Sequence, residues 1–259
     1  LLGSRGLGDV YKRQGIFNKS DLQNLSFQGL DQQGLDKEDV NFNFVDDEFA
    51  VLYSIAKQER YLASRRNLLT HEKVLELAME AGYKNVLPMQ FGLVVSDWEK
   101  LSQQLINPFR EEMKELFAKL ENNREVGVKV YWETDAELQK LLAENDELKS
   151  QRDSLIGQNL SMEQVIEIGQ VIEQEMNSRK QDIIEIFQTN LNQMAIDVVE
   201  NDLQTEKMIY NAAYLIPWES EPEFGKKVEA IDSKFEGRFT VRYNSFTAPF
   251  NFARIKQKD

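Results

Sequence analysis

The chain has 259 residues, 41% of them hydrophobic and 29% charged, with a net charge of −13, a pI near 4.8 and no cysteine. This length and apolar content suit one large domain or two ordinary ones with their own cores, and the charge suits solvated helices. The acidic balance disfavours nucleic-acid binding and docking on an anionic lipid membrane, both of which need clustered Lys and Arg. The missing cysteines exclude disulfides, thiolate catalysis and cysteine-ligated zinc or iron–sulfur sites.

In chain order, Leu1 to Gln14 has no useful periodicity, and Asp9-Val10-Tyr11-Lys12-Arg13-Gln14 resembles the translation of a transposon end used in sequencing libraries. Residues 1–14 are therefore expected to be non-native, with a natural flexible tail as the other reading. Gly15-Ile16-Phe17 reads as the end of a strand whose start is missing, and residues 18–40, rich in Asn, Asp, Gln, Gly and Ser, as a loop. Phe42 to Val45 and Glu48 to Tyr53 have strand character.

From Ile55 to Ala81 the apolar residues recur at three and four positions, which predicts a helix closed by Gly82. Val86 to Val95 reads as a strand or strand pair, with Pro88 at an edge or bulge because it cannot donate to a ladder. Ser96-Asp97-Trp98-Glu99 has the form of a capping box, so a helix should follow, interrupted at Pro108. Val126 to Trp132 alternates as a half-buried strand, and a domain boundary is expected near Asn122-Asn123.

Leu138, Leu141, Leu148 and Leu155 form a heptad stripe with Asn145 and Arg152 as polar interruptions. Gly157 and Asn159 mark a turn, Ser161 to Gln164 a second capping box. Val165, Ile168, Ile172, Met176, Ile183, Phe187, Met194 and Val198 then mark one face of a long helix. Two long helices joined by a short turn predict an antiparallel hairpin over about 134–200. Met208 to Ile216 reads as a buried strand, Glu221 to Phe235 as a helix, and Arg238 to Tyr243 as a strand with Phe239, Val241 and Tyr243 on one face. The order predicts an α+β fold with helices on one face of a small sheet.

Signatures of catalysis are missing. His71 is the only histidine, and Leu75 stands where a zinc-protease helix needs its second one, so a structural role is expected. There is no phosphate-binding glycine loop and no nucleophile elbow. The runs around Asp46 and Glu221 read as solvated carboxylates. Neither an enzyme, a cofactor, a metal site nor a small-molecule substrate is expected. Arg65-Arg66 reads as a salt-bridged helix face or as a partner contact. Tyr243, Phe246, Phe250 and Phe252 either close a core or form an exposed partner surface. Arg65, Arg66, Phe246, Phe250 and Phe252 are the candidate partner-binding residues.

Three segments together resemble the gas vesicle protein F/L family, its cyanobacterial members above all. They are Arg65 to Glu76, Val86-Leu87-Pro88-Met89-Gln90-Phe91-Gly92, and Ile209 to Leu215 with the closing Pro249-Phe250-Asn251-Phe252. The family's first strand runs into Gly15-Ile16-Phe17 from an aromatic and aliphatic lead-in, replaced here by residues 1–14. The resemblance implies two α+β domains, 15–122 and 123–259, the second a modified ferredoxin-like fold carrying the hairpin. It implies a cytoplasmic and gas vesicle location, the inner, gas-facing wall of the shell included. It also implies an accessory or minor structural role in gas vesicle assembly, with the shell protein and other accessory proteins as partners. A coiled-coil adaptor that binds partner helices through the 134–200 hairpin is the alternative.

Overall fold

The computed structural model describes residues 10–23, 34, 37–155 and 161–255. The chain divides into two compact units. The first holds residues up to Glu125 together with those from Phe246 onward; the second is Val126–Ser245. The sequence-based domains, 15–122 and 123–259, count residues 246–255 differently.

The first unit is built on strands β1 (Val10–Asn18), β2 (Val40–Phe44), β3 (Phe49–Ala56), β4 (Val86–Pro88) and β5 (Val94–Val95). They form one sheet in the order β2-β3-β1-β4, with β5 also on β1, and every pairing is antiparallel. Pro88 ends an edge strand, the place a residue without an N–H donor tolerates. A short helix α1 (Lys19–Gln23) lies in the segment read as loop. Against the sheet pack α2 (Arg65–Glu80) and α4 (Arg110–Leu120), preceded by α3 (Trp98–Leu101) and a π-helical turn over Ser102–Ile106. The core joins Phe17, Phe49 and Leu52 of the strands to Val74, Leu75 and Ala78 of α2 and to Met113 and Phe117 of α4. The buried positions of α2 recur at helical spacing, as the periodicity predicts.

Two helix starts differ from expectation. Helix α2 begins ten residues after Ile55, because Ile55 and Ala56 still belong to β3 and the Ser64 hydroxyl accepts from Asn67 N at 3.3 Å as the N-cap. Helix α3 is capped by Asp97, which accepts from Glu99 N at 2.9 Å, in place of the expected Ser96. Gly82 follows α2 with φ 103°, the left-handed closure expected of it.

The second unit runs from β6 (Asn123–Trp132) through α5 (Thr134–Glu144), α6 (Asp146–Leu155) and α7 (Met162–Leu191) to β7 (Asp197–Glu200). It continues with β8 (Met208–Pro217), α8 (Glu221–Ser233) and β9 (Phe239–Thr247). Its sheet has the order β7-β8-β6-β9. This βαββαβ succession with the two middle strands at one side of the order is the ferredoxin-like topology. Every residue of β8 from Met208 to Ile216 is buried, as befits the strand that packs between neighbours. Around it gather Val126, Val128 and Val130, Ile183, Phe187 and Leu191 of α7, and Phe224, Val228 and Ile231 of α8. Phe239, Val241 and Tyr243 share the core face of β9.

The hairpin departs from the heptad reading in three places. Asn145 ends α5 with extended backbone, and its side chain accepts from Leu148 N at 2.9 Å, so a polar seam residue becomes the cap of a new helix. Helix α7 stops at Leu191. Val198, assigned to its face, sits instead in β7, where Val198 and Val199 pair with Tyr214 and Ala213; β-branched neighbours favour the strand. Leu141, Leu142 and Leu148 pack on Ile168, Ile172 and Met176, but Val165, one turn earlier, is exposed. The capping box at Ser161 and Gln164 is present in both directions. The turn at Gly157 and Asn159 lies outside the described residues.

Candidate functional site

Two of the three segments that carry the family resemblance converge in the first unit. On α2, His71 is 3% exposed, and its Nε2 donates to the Met89 carbonyl at 2.9 Å. Its ring stands edge-on to Phe91 at 5.7 Å and tilted to Phe250 at 6.5 Å. Burial, and secondarily the nearby Lys12 ammonium, lower its pKa to about 4, so the ring is neutral at pH 7. A neutral imidazole with its donor spent on a carbonyl fastens β4 to α2.

Glycines permit the close packing here. A Cβ on Gly15 would approach Leu75 Cδ2 and Val86 Cγ2 to 2.9 Å, so β1 can meet α2 and β4 this closely only with glycine. Gly92 turns the chain toward β5 at φ 85°, which a side chain would strain.

The closing segment is tied down by two carboxylates. Glu125, at the start of β6, accepts from Asn251 N at 2.9 Å and from Asn251 Nδ2 at 2.7 Å. Burial raises its pKa to about 7 against the pull of these bonds. Thr247 Oγ1 donates to Glu72 on α2 at 3.3 Å. Phe250 is thereby held over a cleft of ≈ 820 Å³. Its floor is Ile16, Leu87, Pro88 and Met89, and its walls are Leu93, Leu105, Phe109, Ala253 and Ile255, with Gln90 and Arg254 as the polar lining. Such a surface removes apolar side chains from water and offers few groups that could fix or activate a substrate.

The five nominated residues separate. Phe250 lines the cleft, and Phe252 is buried beneath the same segment with Lys119 at 5.4 Å over its ring. Phe246 is half-buried under the Arg124 guanidinium, 5.0 Å away. Arg65 and Arg66 stand on α2 with Leu69, Thr70 and Lys73 along a shallow trough of ≈ 610 Å³, distinct from the cleft. Sequence reasoning missed Leu93, Leu105 and Phe109 as cleft residues. The four-residue step from Leu105 to Phe109 across Pro108 is the one signal that could have paired two of them.

The model of the family described as gas vesicle synthesis protein GvpL/GvpF matches residues 15–254. The chain is 53% identical over 241 residues to gas vesicle protein F of Dolichospermum flosaquae, spanning 93% of this chain and 96% of that protein. It is 50% identical over 241 residues to its counterpart in a Nostoc strain, with the same coverage. The crystal structure of GvpF from Anabaena superposes with a TM-score of 0.82 at 46% identity, covering 97% of this chain and 98% of that one. That of GvpF from Microcystis aeruginosa gives 0.81 at 50% identity, covering 96% and 100%. With agreement in sequence, fold and topology over nearly its whole length, the chain belongs to the gas vesicle GvpL/GvpF family.

Proposed function

We propose that the chain is a non-enzymatic gas vesicle accessory protein that holds an apolar segment of the shell protein in the cleft around Phe250, during assembly or as a minor structural component. The observation that carries this reading is the cleft itself, apolar on its floor and most of its walls and framed by the segments Val86 to Gly92 and Pro249 to Phe252 that carry the family resemblance. An aggregation-prone shell subunit gains by burying its apolar face against such a surface. The protein works in the cytoplasm and at the vesicle wall, alongside other accessory proteins.

The test is co-expression with a gas vesicle shell protein. The wild-type chain is expected to co-purify in a complex that survives high salt, since apolar contact is not screened. Leu93→Asp combined with Leu105→Asp places charges on exposed and half-exposed cleft residues, and is expected to cut recovery by about tenfold or more with the circular dichroism unchanged. Wild-type recovery from that variant would overturn the cleft as the contact. The adaptor reading draws on apolar residues exposed at the start of α7, and predicts instead that removing the hairpin alone abolishes the complex.

A further inference from the structure

All exposed large hydrophobics on the described helices lie in the first two turns of α2 and the first three of α7. Leu68 and Leu69 stand on α2, with Leu62, 84% exposed, just ahead of it; Met162, 76% exposed, Val165, Ile166 and Val171 stand on α7. The two stripes carry opposite charge. Positions 65, 66, 69 and 73 recur at three- and four-residue steps along α2, so Leu69 shares a face with Arg65, Arg66 and Lys73. Arg65 and Arg66 sit in the first turn of α2, the end where the helix dipole disfavours cations, with no acidic residue in that turn. Among the described residues neither guanidinium forms an ion pair, whereas Lys73 reaches Glu76 at 3.5 Å and Glu80 at 3.8 Å.

On α7 the same spacing places Met162, Val165, Ile166, Gly169 and Glu173 on one face, with Glu163 at its edge. Among the described residues neither of these two carboxylates is in an ion pair. A Cβ built on Gly169 meets nothing within 4 Å, so the stripe is open at this position.

We propose that copies of this chain associate head to tail, with the basic apolar stripe at the start of α2 of one copy docked on the acidic apolar stripe at the start of α7 of the next. Charge selects this pairing over the self-pairings. Two α2 stripes would set Arg against Arg, and two α7 stripes Glu against Glu, both repulsive. The α2–α7 pairing joins unpaired charges of opposite sign while covering apolar residues on both sides. Such a heterologous contact leaves one stripe of each kind free at either end, so it extends from copy to copy into a ring or an open row. Each stripe spans only a few helical turns, which puts the contact among small, transient interfaces. Holding copies together on a surface raises their effective concentration and strengthens it. The proposal is independent of the cleft, which uses no residue of either stripe.

Sedimentation velocity of the full chain tests it through charge reversal at these exposed positions. The wild-type sedimentation coefficient is expected to rise with protein concentration. R65E/R66E alone, or E163K/E173K alone, is expected to abolish that rise. An equimolar mixture of the two variants restores complementary stripes and is expected to recover it, as is the variant carrying all four changes. Near-ultraviolet circular dichroism checks that each variant is folded. A wild-type chain that stays monomeric at every concentration, an association that neither reversal weakens, or a mixture that fails to recover it would overturn the proposal.

Discussion

His71 and Glu125 carry opposite pH dependences within the same unit. Folding lowers the His71 pKa from 6.5 to about 4, so the fold prefers the neutral ring. Its stabilising contribution is complete above pH 6.5 and is lost as pH falls toward 4. Folding raises the Glu125 pKa from 4.5 to about 7, so the fold prefers the protonated acid. That contribution is complete below pH 4.5 and is lost as pH rises through 7. Between pH 4.5 and 6.5 the two slopes oppose each other. Relative to wild type, Glu125→Gln is therefore expected to become more stable as pH rises across that window, and His71→Gln as pH falls. Each slope should be on the order of 1 kcal/mol per pH unit, read from urea midpoints. Parallel curves for both variants and wild type would refute the assignment.

Lys12 adds a second residue-scale case. It is 1% exposed on β1, its ammonium 5.0 Å from the Phe91 ring and 5.7 Å from the Tyr61 ring. Ring faces offset part of the cost of removing a charge from water. The strand register shifts between Arg13 and Gly15, where the family match begins. The lone histidine announced itself in the sequence as structural. Glu125 did not, because burial and the Asn251 partner 126 positions away are spatial facts.

At the scale of elements, one carboxylate joins two helices and a strand entry in the second unit. Glu137 of α5 is nearly fully buried, accepts from Arg238 Nε at 2.7 Å and from a second Arg238 nitrogen, and lies 3.9 Å from Arg179 of α7. Arg179 also pairs with Glu144 at the end of α5. Removing Glu137 leaves a two-pronged guanidinium without its acceptor beside the core. Glu137→Ala is expected to cost about 2–3 kcal/mol, less than for a fully buried pair because both arginines keep some contact with water. A thermal melt of the second unit's signal checks it, and a loss below about 0.5 kcal/mol would show the pair to be no more than a surface contact. Periodicity made α2, α7 and α8 legible, because an amphipathic face leaves its spacing in the residues. It misread Asn145, since a seam polar residue and a helix cap look alike until the backbone is seen. It missed β7, four residues long at the sheet edge, because two valines continue a helical spacing as readily as they begin a strand.

At the scale of the molecule, the α+β class and the hairpin followed from the order of elements, while the cleft did not. Its residues come from β1, β4, the turn before β5, the π-helical turn and the closing segment, and apolar residues so scattered share no period. Phe250 was found through its aromatic neighbours and the family segment. Ending the chain after Ser245 removes Phe250, Ala253 and Ile255 from the cleft and the Asn251 bonds from Glu125. That truncation is expected to abolish shell-protein recovery and lower the first unit's stability while the second unit keeps its fold. Hydrogen exchange resolves the two, and equal loss of protection in both would refute it.

The first unit takes its residues from both sides of Val126–Ser245, and this arrangement has a temporal meaning during synthesis. Every residue of the second unit has been made before Phe246 is added. The second unit can fold as soon as it clears the ribosome, whereas the earlier part of the first must wait, with its apolar floor uncovered, for residues 246–255. The cleft is thus completed late, and a nascent chain stalled inside the second unit would present the floor of the cleft without the aromatic that closes it.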